Sequence, residues 1–107
     1  MKRGFTSASP AQRAKAQAAS HCRVCARSGD LDPMHVTDRA LQGCDDAECV
    51  IPACRPCHRE YDQGLIDILP VLSKGEQAHA VEHSGVLAML HQVTGVRWAP
   101  EPPRLAA

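Results

Sequence analysis

Two pairs of cysteines, Cys22-x2-Cys25 and Cys54-x2-Cys57, constrain this chain more than any other feature. Two residues between cysteines let both thiolates reach one ion, and two such pairs complete a tetrahedron of sulfurs around zinc. A chain of 107 residues has reason to use such a staple. Only Phe5, Tyr61 and Trp98 are aromatic, so the core is expected to be mostly aliphatic and thin. A structural zinc ion would add folding free energy that such a core lacks. Lys2 and Arg3 are not followed by the apolar run of a secretory signal, and no stretch approaches the length of a membrane span. The expectation is a cytoplasmic chain, where reducing conditions favour metal ligation over disulfides. Cys44 and Cys49 are left over and are expected to be small residues without a role. If they paired on oxidation, they would make the chain a redox-responsive zinc switch.

Around the knuckles the sequence predicts one small α+β domain. Residues 1–20 read as a basic arm and a helix, 21–64 as a zinc-stapled unit, 65–95 as its helical continuation and 96–107 as a Pro-rich tail. Ser9-Pro10-Ala11-Gln12 is a capping box with proline at the first helical position, which starts a helix over 10–20. MHVT (34–37) and CVIPA (49–53) are short strand candidates, the second confined to an edge by Pro52. A helix is expected from about Arg55 to Gln63, stopped by Gly64. Pro70 implies a short turn within 65–72. Ser73-Lys74-Gly75-Glu76 is a second capping box, opening a helix to about Thr94 with Gly95 as its stop and a weak point at Ser84-Gly85. Its expected apolar stripe is Ala78, Val81, Val86, Leu87, Leu90 and Val93.

Net charge is zero but unevenly spread. Residues 1–29 carry six basic side chains and no acid, whereas 30–48 carry six acids against Arg39. A basic arm beside an acidic loop suits a protein that grips a polyanion and holds a cation near it; an ordinary solvated arm and polar loop would look the same.

Three patterns compete to explain the chemistry. Cys54-x2-Cys57-His58 is also the haem attachment pattern, but a chain expected to stay in the cytoplasm argues against it. His79-Ala80-Val81-Glu82-His83 spells an inverted zinc-peptidase motif, yet such enzymes need a further ligand and a large cleft, so it is expected to decorate the polar side of the last helix. The third reading uses more residues at once. His58 and Asp62 are four apart on a helix and project from one face as half a shell for a divalent ion, with His35 on the preceding strand.

DPMHVTDRALQGCDDAECVIPACRPCHREYD, residues 32 to 62, together with the Cys22/Cys25 knuckle, resembles the HNH endonuclease family and its ββα-metal fold. The flanking segments are similar to those of small actinobacterial and phage HNH proteins. The resemblance implies an endonuclease that hydrolyses DNA phosphodiester bonds and leaves a 5′ phosphate. His35 would be the general base. His58 would hold a catalytic Mg²⁺ or Mn²⁺ ion, with Asp62 as a further ligand, while zinc on Cys22, Cys25, Cys54 and Cys57 would be structural. Arg39, Arg55 and Arg59 would hold phosphates of the DNA. Phage or host DNA-processing proteins would be its other partners.

The chain departs from the family pattern twice. Cys49 stands where an asparagine is usual, and Met34 stands where a metal ligand often precedes the base. Asp32 shares a strand face with Met34 and is the candidate replacement ligand. The competing reading is a non-catalytic zinc module that binds DNA or protein with a degenerate HNH site.

Overall fold

The computed structural model describes residues 8–37 and 44–95. The arm before residue 8, the segment 38–43 with Arg39, and the tail after residue 95 lie outside the described residues. Among the described residues, four helices pack around one two-stranded antiparallel sheet, a small α+β arrangement. In chain order they are α1 (Pro10–Ala18), β1 (Asp32–His35), β2 (Val50–Ala53), α2 (Arg55–Asp62), α3 (Lys74–Ser84) and α4 (Val86–Thr94). Short 3₁₀ turns at Ala47–Cys49 and Leu69–Val71 lead into β2 and α3.

The hairpin pairs Asp32 with Ala53, Met34 with Ile51 and His35 with Val50. The Val36 amide extends the ladder to the Cys49 carbonyl at 2.8 Å. Pro52 has no N–H to give, and its carbonyl instead accepts the Arg23 amide at 2.9 Å, which ties the first knuckle to β2. Alternation along the strands puts Met34, Val36, Ile51 and Ala53 on one face, all buried in a cluster with Tyr61 of α2, Ile68, Ala80 of α3, and Met89 and Val93 of α4. Burying a side chain such as Met34, which is wholly inaccessible, stabilises by about 2 kcal/mol. The Tyr61 hydroxyl donates to the Val36 carbonyl, so α2 is fixed to the end of β1 by a hydrogen bond as well as by packing.

Both expected capping boxes form, at Ser9/Gln12 and at Ser73/Glu76. Gln12 does more than cap: it is wholly buried, and its amide donates to the carbonyls of Cys44 and Asp46 at 3.0 and 2.9 Å. The Leu65 amide donates back to the Glu60 carbonyl and closes α2. Gly64 and Gly95 both take left-handed backbone conformations, and a Cβ on Gly95 would lie 2.5 Å from the Gly64 carbonyl oxygen. Only glycine allows the two chain turns to approach so closely.

The long helix expected over 74–94 is two helices, broken at Gly85. The break resets the phase of the second half. Val86 and Leu87 of the expected stripe are therefore exposed; Ala78 on α3 is exposed as well, whereas Ala80, Met89 and Val93 are buried.

Candidate functional site

The turn after α1 and the start of α2 bring the four paired cysteines together. The ligand atoms of Cys22, Cys25, Cys54 and Cys57 all lie within 4.8 Å of one another, and the Cys25 and Cys54 sulfurs are 3.7 Å apart. Tetrahedral zinc with Zn–S bonds of about 2.3 Å spaces its sulfurs about 3.8 Å apart, so the donor set fits the ion. Cys54 occupies the N-cap of α2 without making a side-chain cap; its thiol faces the cluster instead. Pro56 stands in the first turn of α2, where a missing N–H costs nothing. In the first knuckle the Cys25 amide donates to the Cys22 sulfur at 3.4 Å, and Ala26 is forced to φ 65, a strained value for a residue with a Cβ.

The thiols titrate apart. Burial raises the Cys22 pKa, but amide hydrogen bonds from Cys25, Cys54 and Val24 outweigh it and bring the thiol down to about 6. Cys57 is pushed well above the usual thiol range by burial and by the neighbouring cysteines. Four sulfurs this close cannot all ionise without a cation among them.

At the Asp32 end of the hairpin, α2 sets His58 between two carboxylates. Its Nδ1 is 3.0 Å from Asp32 Oδ2, and its Nε2 is 3.6 Å from Asp62 Oδ2. Arg55 grips the same Asp32 carboxylate, Nε to Oδ2 at 2.8 Å and Nη2 to Oδ1 at 3.3 Å. Burial raises the Asp32 pKa, but the hydrogen bonds from Arg55 and His58 exceed that effect and hold the carboxyl below its ordinary value. Asp32 thus stays ionised and accepts the Nδ1 proton. In the tautomer with its proton on Nδ1, the Nε2 lone pair would face the Asp62 carboxylate, an arrangement that a proton or a cation between them relieves.

One ion cannot use both nitrogens of one ring. Asp32 and Asp62 therefore do not share an ion with His58 in this arrangement, and Asp32 is the orienting partner of His58 rather than the replacement ligand expected at Met34. Met34 itself faces the core. Alternation puts His35 on the opposite face of β1 from Asp32 and Met34, half-buried, with Val50 across the hairpin. The structure thus joins Asp32, Arg55, His58 and Asp62 and sets His35 apart from them by a strand face.

The basic residues divide likewise. Lys15 and Arg23, counted in the polyanion-gripping arm, bind Glu76 at 2.7 Å each. Burial raises the Glu76 pKa, but Arg23, Lys15 and the Ser73 amide override it, and the carboxyl falls to about 2. These two cations are structural. Arg55 is committed to Asp32, while Arg59 is exposed one residue beyond His58.

A second cluster was not expected. Cys44, Cys49, His79 and His83 bring one ligand atom each within 4.8 Å of the others. These are the leftover cysteines and the histidines of the apparent peptidase motif. The available signal was a Cys-x4-Cys pair and a His-x3-His pair, near the spacing of mixed zinc sites but 29 residues apart. Among the described residues these two clusters are the groups of three or more such ligands that could hold a metal ion, and Asp32, His58 and Asp62 do not form a third. Compared with known proteins, the chain matches no family model, no curated protein and no solved structure.

Proposed function

We propose that the chain is an HNH-type, metal-dependent endonuclease that hydrolyses DNA phosphodiester bonds on a ββα-metal centre. The observation that carries this reading is the Asp32–His58–Asp62 array, which joins the start of β1 to His58 and Asp62 of α2, the helix that directly follows the hairpin and starts in the four-thiol cluster. Asp32 fixes the tautomer of His58 and aims Nε2 at Asp62, which makes His58 and Asp62 the pair that would hold a divalent ion. Bound there, Mg²⁺ or Mn²⁺ would offset charge on the scissile phosphate and on the departing oxygen. Arg59, exposed on the same helix, would meet a neighbouring phosphate. His35, at the end of β1, is the proposed base, taking a proton from water onto its imidazole.

A second reading has its own support. Met34 is wholly buried where a ligand would stand, and His35 lies on the other strand face from His58. Both features suit a zinc-stapled module that binds DNA or protein without cutting.

Plasmid cleavage with added Mg²⁺ or Mn²⁺ tests both. Expected is cleavage by the wild type, a loss of at least about a hundredfold in His58→Ala and in His35→Ala, and unchanged zinc content in both variants. Wild-type protein that binds DNA but cuts with neither ion establishes the second reading. Equal cleavage by wild type and His35→Ala removes His35 from the mechanism.

A further inference from the structure

We infer that Cys44, Cys49, His79 and His83 form a second zinc centre, a closed structural site that fastens the turn ahead of β2 to α3. This inference does not depend on the nuclease reading.

Both sulfurs converge on one atom: Cys49 Sγ is 3.0 Å and Cys44 Sγ 3.3 Å from His79 Nε2. A neutral imidazole nitrogen offers one proton or one lone pair, so two thiols crowding it are poorly served by hydrogen bonding alone. A cation serves all of them. Tetrahedral zinc spaces its sulfur and nitrogen ligands about 3.5 Å apart, which asks the donors to open by a few tenths of an ångström. His83 follows His79 by one helical turn, and the two rings meet edge to face with centroids 4.5 Å apart, so both nitrogens are supplied from one face of α3.

The backbone is arranged as it is at the four-thiol cluster. The Asp46 amide donates to the Cys44 sulfur at 3.3 Å, the counterpart of the Cys25 amide on Cys22. Each such donor helps to fix the position of its sulfur. The segment carrying Cys44 is held in place by α1, through the buried Gln12 amide on the Cys44 and Asp46 carbonyls and the Ser9 hydroxyl on the Asp45 carbonyl. A buried glutamine and a capping serine that together hold three residues of loop are what a preorganised ligand needs.

Two thiolates and two imidazoles select zinc among the common divalent ions. Four protein ligands leave no open position, so the ion would be structural, and Glu82 of the apparent peptidase motif is exposed and outside the set. Cys49 and Cys54 flank β2 on either side, so the strand would be anchored by a metal at each end.

The test is the metal content of the full chain purified with zinc, read by native mass spectrometry. Expected are two zinc ions per wild-type chain and one in the double variant Cys49→Ser/His79→Asn. One ion in the wild type at saturation, or two retained by the variant, overturns the inference. Cadmium-113 NMR of the wild type decides the matter even if the variant does not fold. Expected are two resonances, one in the region of four sulfur ligands and one in that of two sulfurs and two nitrogens. A lone four-sulfur resonance contradicts the second centre.

Discussion

The two Cys/His clusters stand at opposite ends of β2, about 16 Å of extended chain apart, and they are built differently. The four-thiol cluster is assembled from two local chelates. Its donors need only one tertiary event, the meeting of two knuckles, and three of its four cysteines are buried in or beside the apolar core. The mixed cluster also uses two local pairs, but neither is a knuckle. One lies in a turn braced by α1 and the other on the face of a helix that arrives 30 residues later. Glu76 links the two regions: it sits on α3 one turn before His79 and binds Arg23 of the first knuckle and Lys15 of α1. The difference teaches that a small chain with a thin core can be held by polar and metal-ligating groups at several points, only one of which announces itself in the spacing of its ligands.

Substitutions that separate the two regions sharpen this comparison. The largest effect is expected from Cys57→Ser. A structural zinc ion contributes roughly 10 kcal/mol of apparent binding free energy, comparable with the whole stability of a domain this size. The variant is expected to lose its cooperative thermal transition by circular dichroism; a sharp transition near the wild-type midpoint would show that the cluster is dispensable.

Next is Glu76→Gln, which breaks the link between the regions. The Glu76 pKa is depressed to about 2 from an ordinary value of 4.5. Its stabilisation is therefore present above about pH 4.5 and is lost as the pH falls from there toward about 2. With each pKa unit worth about 1.4 kcal/mol and both cationic partners partly exposed, the loss is on the order of 2–3 kcal/mol at neutral pH. Urea titrations at pH 7 and pH 4 measure it: the gap between wild type and variant is expected to narrow at the lower pH, and a constant gap would refute the linkage.

Gly95→Ala should cost on the order of 1–3 kcal/mol, because its Cβ would meet the Gly64 carbonyl and its φ is positive. The same urea titration reads it, and an unchanged midpoint would mean that α2 and α4 do not meet there. The smallest effect has the opposite sign. Ala26→Gly relieves a left-handed alanine in the first knuckle and should stabilise by about 1 kcal/mol, seen as a midpoint a few degrees higher. A lower midpoint would show that Ala26 is not strained.

Local signals made much of this legible. Capping residues marked both boxes, paired cysteines marked the knuckles, and Gly64 and Gly95 marked helix ends. Strand alternation also indicated that Asp32 and Met34 share a face, which the pairing bears out. Illegible were the features set by three-dimensional approach. Periodicity along 74–94 could not show which face α4 would bury once Gly85 had reset its phase. Lys15 and Arg23 read as free cations because their partner, Glu76, is more than 50 residues away. Cys49 read as a gap in a motif because its neighbours, His79 and His83, were expected to decorate the polar side of the last helix. The role of Asp32 was half legible: its face followed from the strand, but its grip by Arg55 and His58 did not.

If zinc on the four thiols fastens the first knuckle to the start of α2 and the fold depends on it, removing the metal tests this directly. Zinc-loaded protein at neutral pH is treated with a strong chelator under reducing conditions and followed by far-ultraviolet circular dichroism, then reloaded with zinc. Expected is a cooperative loss of helical signal on chelation and its recovery on reloading. A native spectrum that persists after the zinc has left the chain would contradict it.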